Sequence, residues 1–433
     1  MDLKQKLDNL KPVMGLPPGS QRSGFTRKDS SNLDSLGGKM LETPHGPCYR
    51  IRSSYHPSYS HGRAPLAPLA ALESIDMSVL GRHRDLAGID PARTIFLDTE
   101  TTGLAGGSGT YAFLVGIGRF DGGRFLINQY LMQGFSQETA LLWALEREWK
   151  DARYLVTYNG RTYDVPLLIT RFILQRLPTL LGDLRHLDLL HVARRLFRRR
   201  IGSCSLTRVE AEVLGYHRHG DIPGSMIPGV YFDYLRDSNP NPLVPIIEHN
   251  GQDILALAAL LAFLTGMFTR EGQVDNGLDL LSLGALYQNS GRDRQAVAAL
   301  ARAREKEVSG DDRLELMERL GAALKKLEKF QEAEEVWVSM ARQMIEPRVV
   351  PYEELAKLYE HRRKDFAAAR AWVLKGLRRF EITAALYGDS SVHGEVESLK
   401  YRLTRLERKI KRQAESDGKN PEKSPTGIKA VAE

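Results

Sequence analysis

Along the chain, apolar and polar residues change their period several times, and each change predicts an element. Thr94-Ile95-Phe96-Leu97 is a short β-prone run that ends in Asp98. A second apolar run covers Tyr111 to Gly118, and a third covers Phe125 to Leu131. Between them Asp121-Gly122-Gly123 has the composition of a hairpin turn. From residue 137 to 150 the period becomes helical, with Leu141, Leu142, Leu145 and Trp149 on one face. Tyr154-Leu155-Val156-Thr157-Tyr158 returns to strand, and helical patterns then dominate from Val165 to Arg200 and from about Ile246 to Phe268. Three early strands followed by alternating strand and helix predict an α/β mixed sheet with flanking helices, over residues 91–268.

From about residue 278 the pattern is helical throughout and recurs. Gly284, Tyr287, Gly291, Ala296, Leu300 and Ala303 form one set. Gly321, Leu324, Ala333, Trp337 and Met340 form a second at an offset of 37, and Ala356, Tyr359, Ala368 and Trp372 a third at an offset of 35. Small residues where two helices touch, with large ones in the next layer, are what stacked helical hairpins require. The sets resemble tetratricopeptide repeats, although the second and third lack the turn glycine. The resemblance implies an all-α repeat domain over 277–412, offering a concave surface to a protein partner. A plain all-helical domain is the alternative. Val396, Leu399, Leu403, Leu406 and Ile410 predict a capping helix, and residues 413–433 are polar and expected to be disordered.

Residues 1–65 are rich in Gly, Pro, Ser and charge, as in Gly15-Leu16-Pro17-Pro18-Gly19-Ser20. They are expected to form a flexible arm, docking locally at most through tyrosines such as Tyr55 and Tyr59. Glu271 to Gly277 is a short polar linker, so the α/β and helical units are expected to be separable.

Composition narrows the setting. A net charge of +7 permits a polyanionic partner without requiring one. The two cysteines, Cys48 and Cys204, make no CxxC and suit a reducing cytoplasm better than a disulfide scaffold or a zinc site. No uncharged apolar run of about 18 residues suggests a membrane span. The polar N-terminus does not read as a secretory signal.

Candidate chemistry begins with Leu97-Asp98-Thr99-Glu100-Thr101-Thr102-Gly103. Alternation along a strand puts Asp98 and Glu100 on one face. Two adjacent carboxylates repel unless a cation lies between them, and oxygen ligands favour Mg²⁺ or Mn²⁺. Asp164 ends Tyr158-Asn159-Gly160-Arg161-Thr162-Tyr163-Asp164 at the opening of a predicted helix. His249 and Asp253 are four apart and share a helix face. Taken singly, each is equally a turn, a helix cap or a polar surface residue.

Taken together, the three motifs resemble the DEDD exonucleases, whose fold is ribonuclease-H-like. Asp98 and Glu100 match D-x-E, Asp164 the second motif with its Asn-x-x-x-Tyr-Asp lead-in, and Asp253 the third, across roughly residues 93–265. The third motif is usually Y-x-x-x-D, or His with four residues between. Here it is H-x-x-x-D, which, with Ser203-Cys204-Ser205-Leu206 and Asp221-Ile222-Pro223-Gly224, is similar to the YprB-like exonucleases. The resemblance implies 3′–5′ hydrolysis of single-stranded nucleic acid by two Mg²⁺ or Mn²⁺ ions about 3.5–4 Å apart, releasing nucleoside 5′-monophosphates. By the same resemblance Asp98 would bridge both ions, Glu100 and Asp253 would hold the water-side ion, and Asp164 would act through the second. His249 would orient or deprotonate the water.

Further candidates concern the strand. Gly103 opens a glycine-rich stretch to Thr110 that lacks the lysine of a phosphate loop and reads as a loop beside the terminal nucleotide, or a plain turn. Thr101, Asn159, Arg161 and Tyr163 flank the acidic motifs and are expected to contact substrate. Arg194, Arg195 and Arg198, with Arg199 and Arg200, form a cluster suited to phosphates or to a solvated helix face. Asp188 is either a support for the site or a helix cap. The rival function is a non-catalytic nucleic-acid-binding adaptor working through the helical repeats.

Overall fold

The structure, a computed structural model, describes residues 33, 35–70, 76–103, 109–269, 274–344, 346–387 and 393–418. Strands β1 (Lys39–Thr43), β2 (Gly46–Tyr55), β5 (Thr94–Thr101), β6 (Ala112–Asp121), β7 (Arg124–Leu131), β8 (Tyr154–Thr157) and β9 (Arg185–Asp188) form one seven-stranded sheet in the order β1-β2-β7-β6-β5-β8-β9. Neighbours from β1 to β5 are antiparallel, whereas β5-β8 and β8-β9 are parallel. Gly122 and Gly123 have φ of 54° and 75°, the positive values that a tight hairpin needs at both central positions, and they join β6 to β7 with Asp121 opposite Arg124. The expected α/β mixed sheet is present.

The proposed N-terminal arm departs from expectation. Residues 1–32 lie outside the described residues, but 39–43 and 46–55 add two strands to the sheet, with β2 along β7 from Tyr49–Leu131 to Tyr55–Phe125. Tyr49 and Ile51 are buried while Arg50 and Arg52 are not, so a two-residue period was present under the Gly, Pro and Ser. The Tyr49 hydroxyl donates to Leu33 O and accepts from Gly38 N, both at 2.8 Å. A small hairpin follows, β3 (Ser60–His61) and β4 (Ala64–Pro65).

Strand β9 is the other departure. It interrupts the long helical stretch expected from Val165 to Arg200, leaving α2 (Asp164–Leu174) and α3 (Leu189–Ile201); α1 (Glu138–Trp149) precedes them. Four residues of β9 are too few to show a period, and their pairing with β8 from Tyr154–Arg185 to Thr157–Asp188 makes them a strand. Helices α4 (Ile227–Asp237) and α5 (Val244–Thr269) complete this part. By length and composition Asn241–Met267 could cross a membrane, but 83% of its apolar window is buried inside the protein.

The helical region comprises α6 (Gly277–Asn289), α7 (Asp293–Arg304), α8 (Gly310–Lys326), α9 (Phe330–Gln343), α10 (Val349–Lys357), α11 (Phe366–Tyr387) and α12 (His393–Gly418). A side chain at Gly284 would collide with Leu300, and one at Gly321 with Trp337, so equivalent glycines let successive pairs close. Residues 413–418, expected to be disordered, continue α12; 419–433 lie outside the described residues.

The two units share a core. One hydrophobic cluster runs from Phe96, Phe125 and Ile127 of the sheet through Leu196 and Phe197 of α3 and Leu257 to Leu264 of α5 into Leu280, Leu300, Leu320 and Trp337. Separate units would each close their own core, so the expectation of separability gives way here. The opposite sheet face packs Ile95, Leu97, Val115 and Ile117 against Trp149, Phe172 and Tyr231.

Candidate active site

The acidic motifs meet at the C-terminal end of β5. Asp98 and Glu100 project from it on one face, and the pairing with β6 slips between Glu100 and Thr101. Such an irregularity bends a strand and re-aims its side chains. Asp98 lies opposite Gly116 of β6. A Cβ at Gly116 would fall 2.2 Å from Asn250 Oδ1, so glycine admits the Asn250 side chain there. Asn250 is fully buried; its Nδ2 donates to Asp98 Oδ2 at 2.8 Å, and its Oδ1 accepts from Gln129 Nε2 at 2.9 Å. Gln129 is fixed in turn on Ile247 O at 2.7 Å.

Asp164, the first residue of α2, arrives from the other face and accepts a hydrogen bond from Thr99 Oγ1. Asp253 comes from α5. Arg218 Nη2 donates to its Oδ1 at 2.5 Å. His249, one turn earlier, has Nε2 3.8 Å from both Glu100 Oε1 and Asp253 Oδ2, and Nδ1 2.7 Å from Asp221 Oδ1. Asp98, Glu100, Asp164, Asp253 and His249 are therefore neighbours, although they come from three distant stretches of chain.

Burial and mutual repulsion act against the charged form of these acids. Asp98 and Glu100 are raised well above the ordinary carboxylate range, first by burial and then by neighbouring carboxylates, Asp253 foremost. Burial raises Asp164 to about 6, against the hydrogen bond from Thr99. Asp253 is raised by burial, with Arg218 opposing. Although burial also acts on Asp221, hydrogen bonds and charge from His249 and Arg218 hold its carboxyl below the usual range. A hard divalent cation would relieve the first four groups, and all-oxygen donors suit Mg²⁺ or Mn²⁺. Among the described residues no group of three or more His, Cys, Asp or Glu side chains is placed so that it could hold a metal ion as it stands. Asn250, Thr99 and Arg218 each hold one carboxylate, of Asp98, Asp164 and Asp253 respectively. The donors fit the ion in kind, and Asp253 would offer Oδ2.

The expected strand contacts divide. Tyr163 Oη donates to Gly103 O at 2.7 Å and Thr101 Oγ1 to the same oxygen at 2.8 Å, so Thr101, Gly103 and Tyr163 converge beside the acids. Residues 104–108 of the glycine-rich stretch lie outside the described residues. Asn159 has φ of 66° and accepts from Thr162 Oγ1 at 2.9 Å, shaping the turn. Asp188 accepts from Asn159 N at 2.9 Å, Arg161 N at 3.1 Å and Leu190 N at 3.1 Å; it caps α3 and pins the second motif at once. The Arg161 guanidinium donates to His186 O at 2.7 Å.

The arginine cluster is split by its partners. Arg194 and Arg198 are exposed. Arg195 turns inward to Leu80 O, away from the role expected of it. Arg199 bonds Asp312 at 2.6 Å and Glu315 at 2.9 Å, and Arg200 bonds Asp279 at 2.9 Å, so both tie α3 to the helical region.

Sequence reasoning missed Arg218, Glu210, Asn250, Gln129 and Gly116. Of these, Gly116 carries an available signal, since a glycine inside an apolar strand marks a close approach. The others carry no local pattern. Cavities of about 560 Å³, around Arg93, Arg119 and Arg153, and 550 Å³, around Arg50, Arg52 and Trp143, include none of the acids.

The family model RNase_H_2, of the RNase_H superfamily, matches residues 95–265. The protein YprB of Bacillus subtilis (strain 168) is 30% identical over 422 residues, covering 94% of this chain and 99% of that protein. Among solved structures, the family B DNA polymerase from the hyperthermophilic archaeon Pyrobaculum calidifontis is similar at 14% identity with a TM-score of 0.31, over 66% of this chain and 39% of that one.

Proposed function

The chain belongs to the family of Bacillus subtilis YprB and carries an RNase_H superfamily domain, and from that premise we propose that it is a metal-dependent 3′–5′ exonuclease acting on single-stranded nucleic acid. The observation that carries this reading is the meeting of Asp98, Glu100, Asp164 and Asp253 at one end of β5, where burial raises all four above the ordinary carboxylate range.

These four residues would hold two Mg²⁺ or Mn²⁺ ions, which when bound would activate water and stabilise the leaving oxygen. The chain's own residues do the rest. Asn250 fixes the rotamer of Asp98, and Thr99 that of Asp164. Asp221 turns His249 so that Nε2 faces Glu100 and Asp253, where it can take a proton from the attacking water. Thr101, Gly103 and Tyr163 form the edge against which a terminal nucleotide would lie, and the exposed Arg194 and Arg198 supply charge for the strand.

The α6–α12 region is read as tetratricopeptide-like, with a protein as its ligand; the repeated closures at Gly284 and Gly321 support this. A reducing compartment such as the cytoplasm suits the free, buried Cys48 and Cys204. The test is cleavage of a 5′-labelled oligonucleotide with Mg²⁺ or Mn²⁺. Stepwise shortening from a 3′-hydroxyl is expected, with no products in chelator, from a 3′-phosphate end, or from Asp98→Asn. Undiminished cleavage by Asp98→Asn would remove the assignment.

A further inference from the structure

Beside the acids lies a buried cation that neither the motifs nor the mechanism above uses. The Arg218 side chain is only 5% exposed, and it reaches three carboxylates: Glu210 Oε2 at 2.6 Å, Asp253 Oδ1 at 2.5 Å and Asp221 Oδ2 at 3.2 Å. Two of these, Asp253 and Asp221, are the groups that face or orient His249. The third, Glu210, is completely buried, and its Oε2 also accepts from Arg218 Nε at 2.8 Å. Its other oxygen is held by His61 Nε2 at 2.7 Å, from the β3–β4 hairpin, and the His61 ring stacks on Tyr216 at 3.8 Å. The hairpin is itself latched by Arg63 N donating to Leu214 O at 2.7 Å, where Gly62 leaves no room for a side chain.

We propose that Arg218 is a positioning residue of this site: anchored on Glu210 and His61, its planar fork sets Asp253 and, through Asp221, His249, while its fixed charge weakens the hold on a divalent ion. The inference rests on the metal-dependent reading above. Three features carry it. A guanidinium presents five donors in a rigid planar fork, so it fixes the relative placement of three acids, whereas a lysine ammonium, with three freely rotating donors, leaves it loose. Removing water from around the pair makes the bonds strong and directional. A positive group touching an ion ligand repels a second cation at short range, where salt screens little.

The two effects separate in experiment. In Arg218→Met the repulsion is gone, so Mn²⁺, followed by electron paramagnetic resonance and calorimetry on the full chain, should bind about threefold or more tighter. Turnover of the oligonucleotide should nevertheless fall by about 10²-fold with KM changed little, the pattern of a misplaced group rather than a lost ion. Arg218→Lys retains the charge but not the fork: Mn²⁺ affinity should stay near wild type while kcat drops about tenfold. A residue that only stabilised the fold would lower the melting temperature and weaken Mn²⁺ binding together. Unchanged or weaker Mn²⁺ binding by folded Arg218→Met, or full kcat in Arg218→Lys, would overturn the proposal. If Arg218→Met does not fold, Arg218→Lys decides. A wild-type chain that binds Mn²⁺ yet cleaves nothing would remove the nuclease reading alone, and the Mn²⁺ comparison would still decide the role of Arg218. No ion bound by wild type or variant would remove both.

Discussion

The imidazole of His249 is aimed by Asp221, whose Oδ1 lies 2.7 Å from Nδ1 and leaves Nε2 turned toward Glu100 and Asp253. A carboxylate in this position selects the tautomer with its proton on Nδ1, keeping Nε2 free to accept one. His249→Ala is expected to lower kcat by about 10²–10⁴-fold, the range for a lost general base. Asp221→Asn, which retains size but not charge, should show a smaller loss of the same kind. Both should bind Mn²⁺; steady-state kinetics beside a metal titration checks this. Wild-type turnover in His249→Ala would leave the ring a structural part only.

Gly116→Ala is expected to disturb the site from a strand that carries no acid. Its Cβ would sit 2.2 Å from Asn250 Oδ1, and Asn250 holds Asp98. Overpacking of this sort costs about 1–3 kcal/mol. Thermal melting should register that loss, and Mn²⁺ binding should weaken with it. A variant as stable as wild type would mean that Asn250 moves aside without consequence.

The raised acids predict an unusual pH dependence. A carboxyl whose folded pKa exceeds its unfolded value stabilises the protein below the unfolded value and loses that contribution as pH rises through the folded one. For Asp164 the window runs from its ordinary 3.8 to about 6. Asp98, Glu100 and Asp253 are shifted in the same direction. Without divalent ions the contribution of Asp164 should decline across that window, and those of the other three should decline as pH rises above the ordinary carboxylate range. Mn²⁺ should then raise the melting temperature more at about pH 7 than at about pH 5, since the ion competes with protons. Equal shifts at the two pH values would count against the acids as its ligands.

Of the arginines on α3, those facing solvent and those facing the helical region should behave differently. Replacing Arg194 and Arg198 with Gln should flatten the log–log salt dependence of single-strand binding by about 0.7 for each lost phosphate contact. Arg199→Gln, whose partners are Asp312 and Glu315, should leave that slope alone. A slope unchanged by the first pair would place the strand elsewhere.

Arg200 and Asp279 join the two parts of the chain, and Asp279 is 4% exposed. Arg200→Met strands a buried acid, a change that costs about 3–5 kcal/mol. A chain ending near residue 270 would expose the faces of α3 and α5 that now meet Leu280 and Leu300. Such a chain is expected to aggregate or to melt well below the full protein. A soluble, cooperative, active truncated chain would restore the separable units that the linker suggested.

How far the chain could be read without its structure follows from the range of the interactions. Asp98, Glu100, His249 and Asp253 were legible because strand and helix periods bring them together locally. The β6–β7 hairpin was legible in Gly122 and Gly123. Strands β1 and β2 were hidden because Tyr49 and Ile51 alternate inside a segment whose composition resembles a tail. Arg218 and Glu210 were hidden for another reason: an isolated Arg and Glu become a buried pair only when distant elements close over them. The arginine run shows the limit of composition, since its members face three different ways.

The bonds that assemble the acids also impose an order on the chain's synthesis. His61 meets Glu210 across 149 residues, Asp98 meets Asn250 across 152, and Thr99 meets Asp164 across 65. A nascent chain released only as far as α4 has three of the four acids but neither Asn250 nor Asp253. It has no complete centre, however long translation pauses there. Closure waits for α5, the helix that also begins the contact with α6–α9. Contacts of such long range make folding slow. On the proposed nuclease reading, the half-made polypeptide would be catalytically silent while it is still bound to the ribosome and surrounded by RNA.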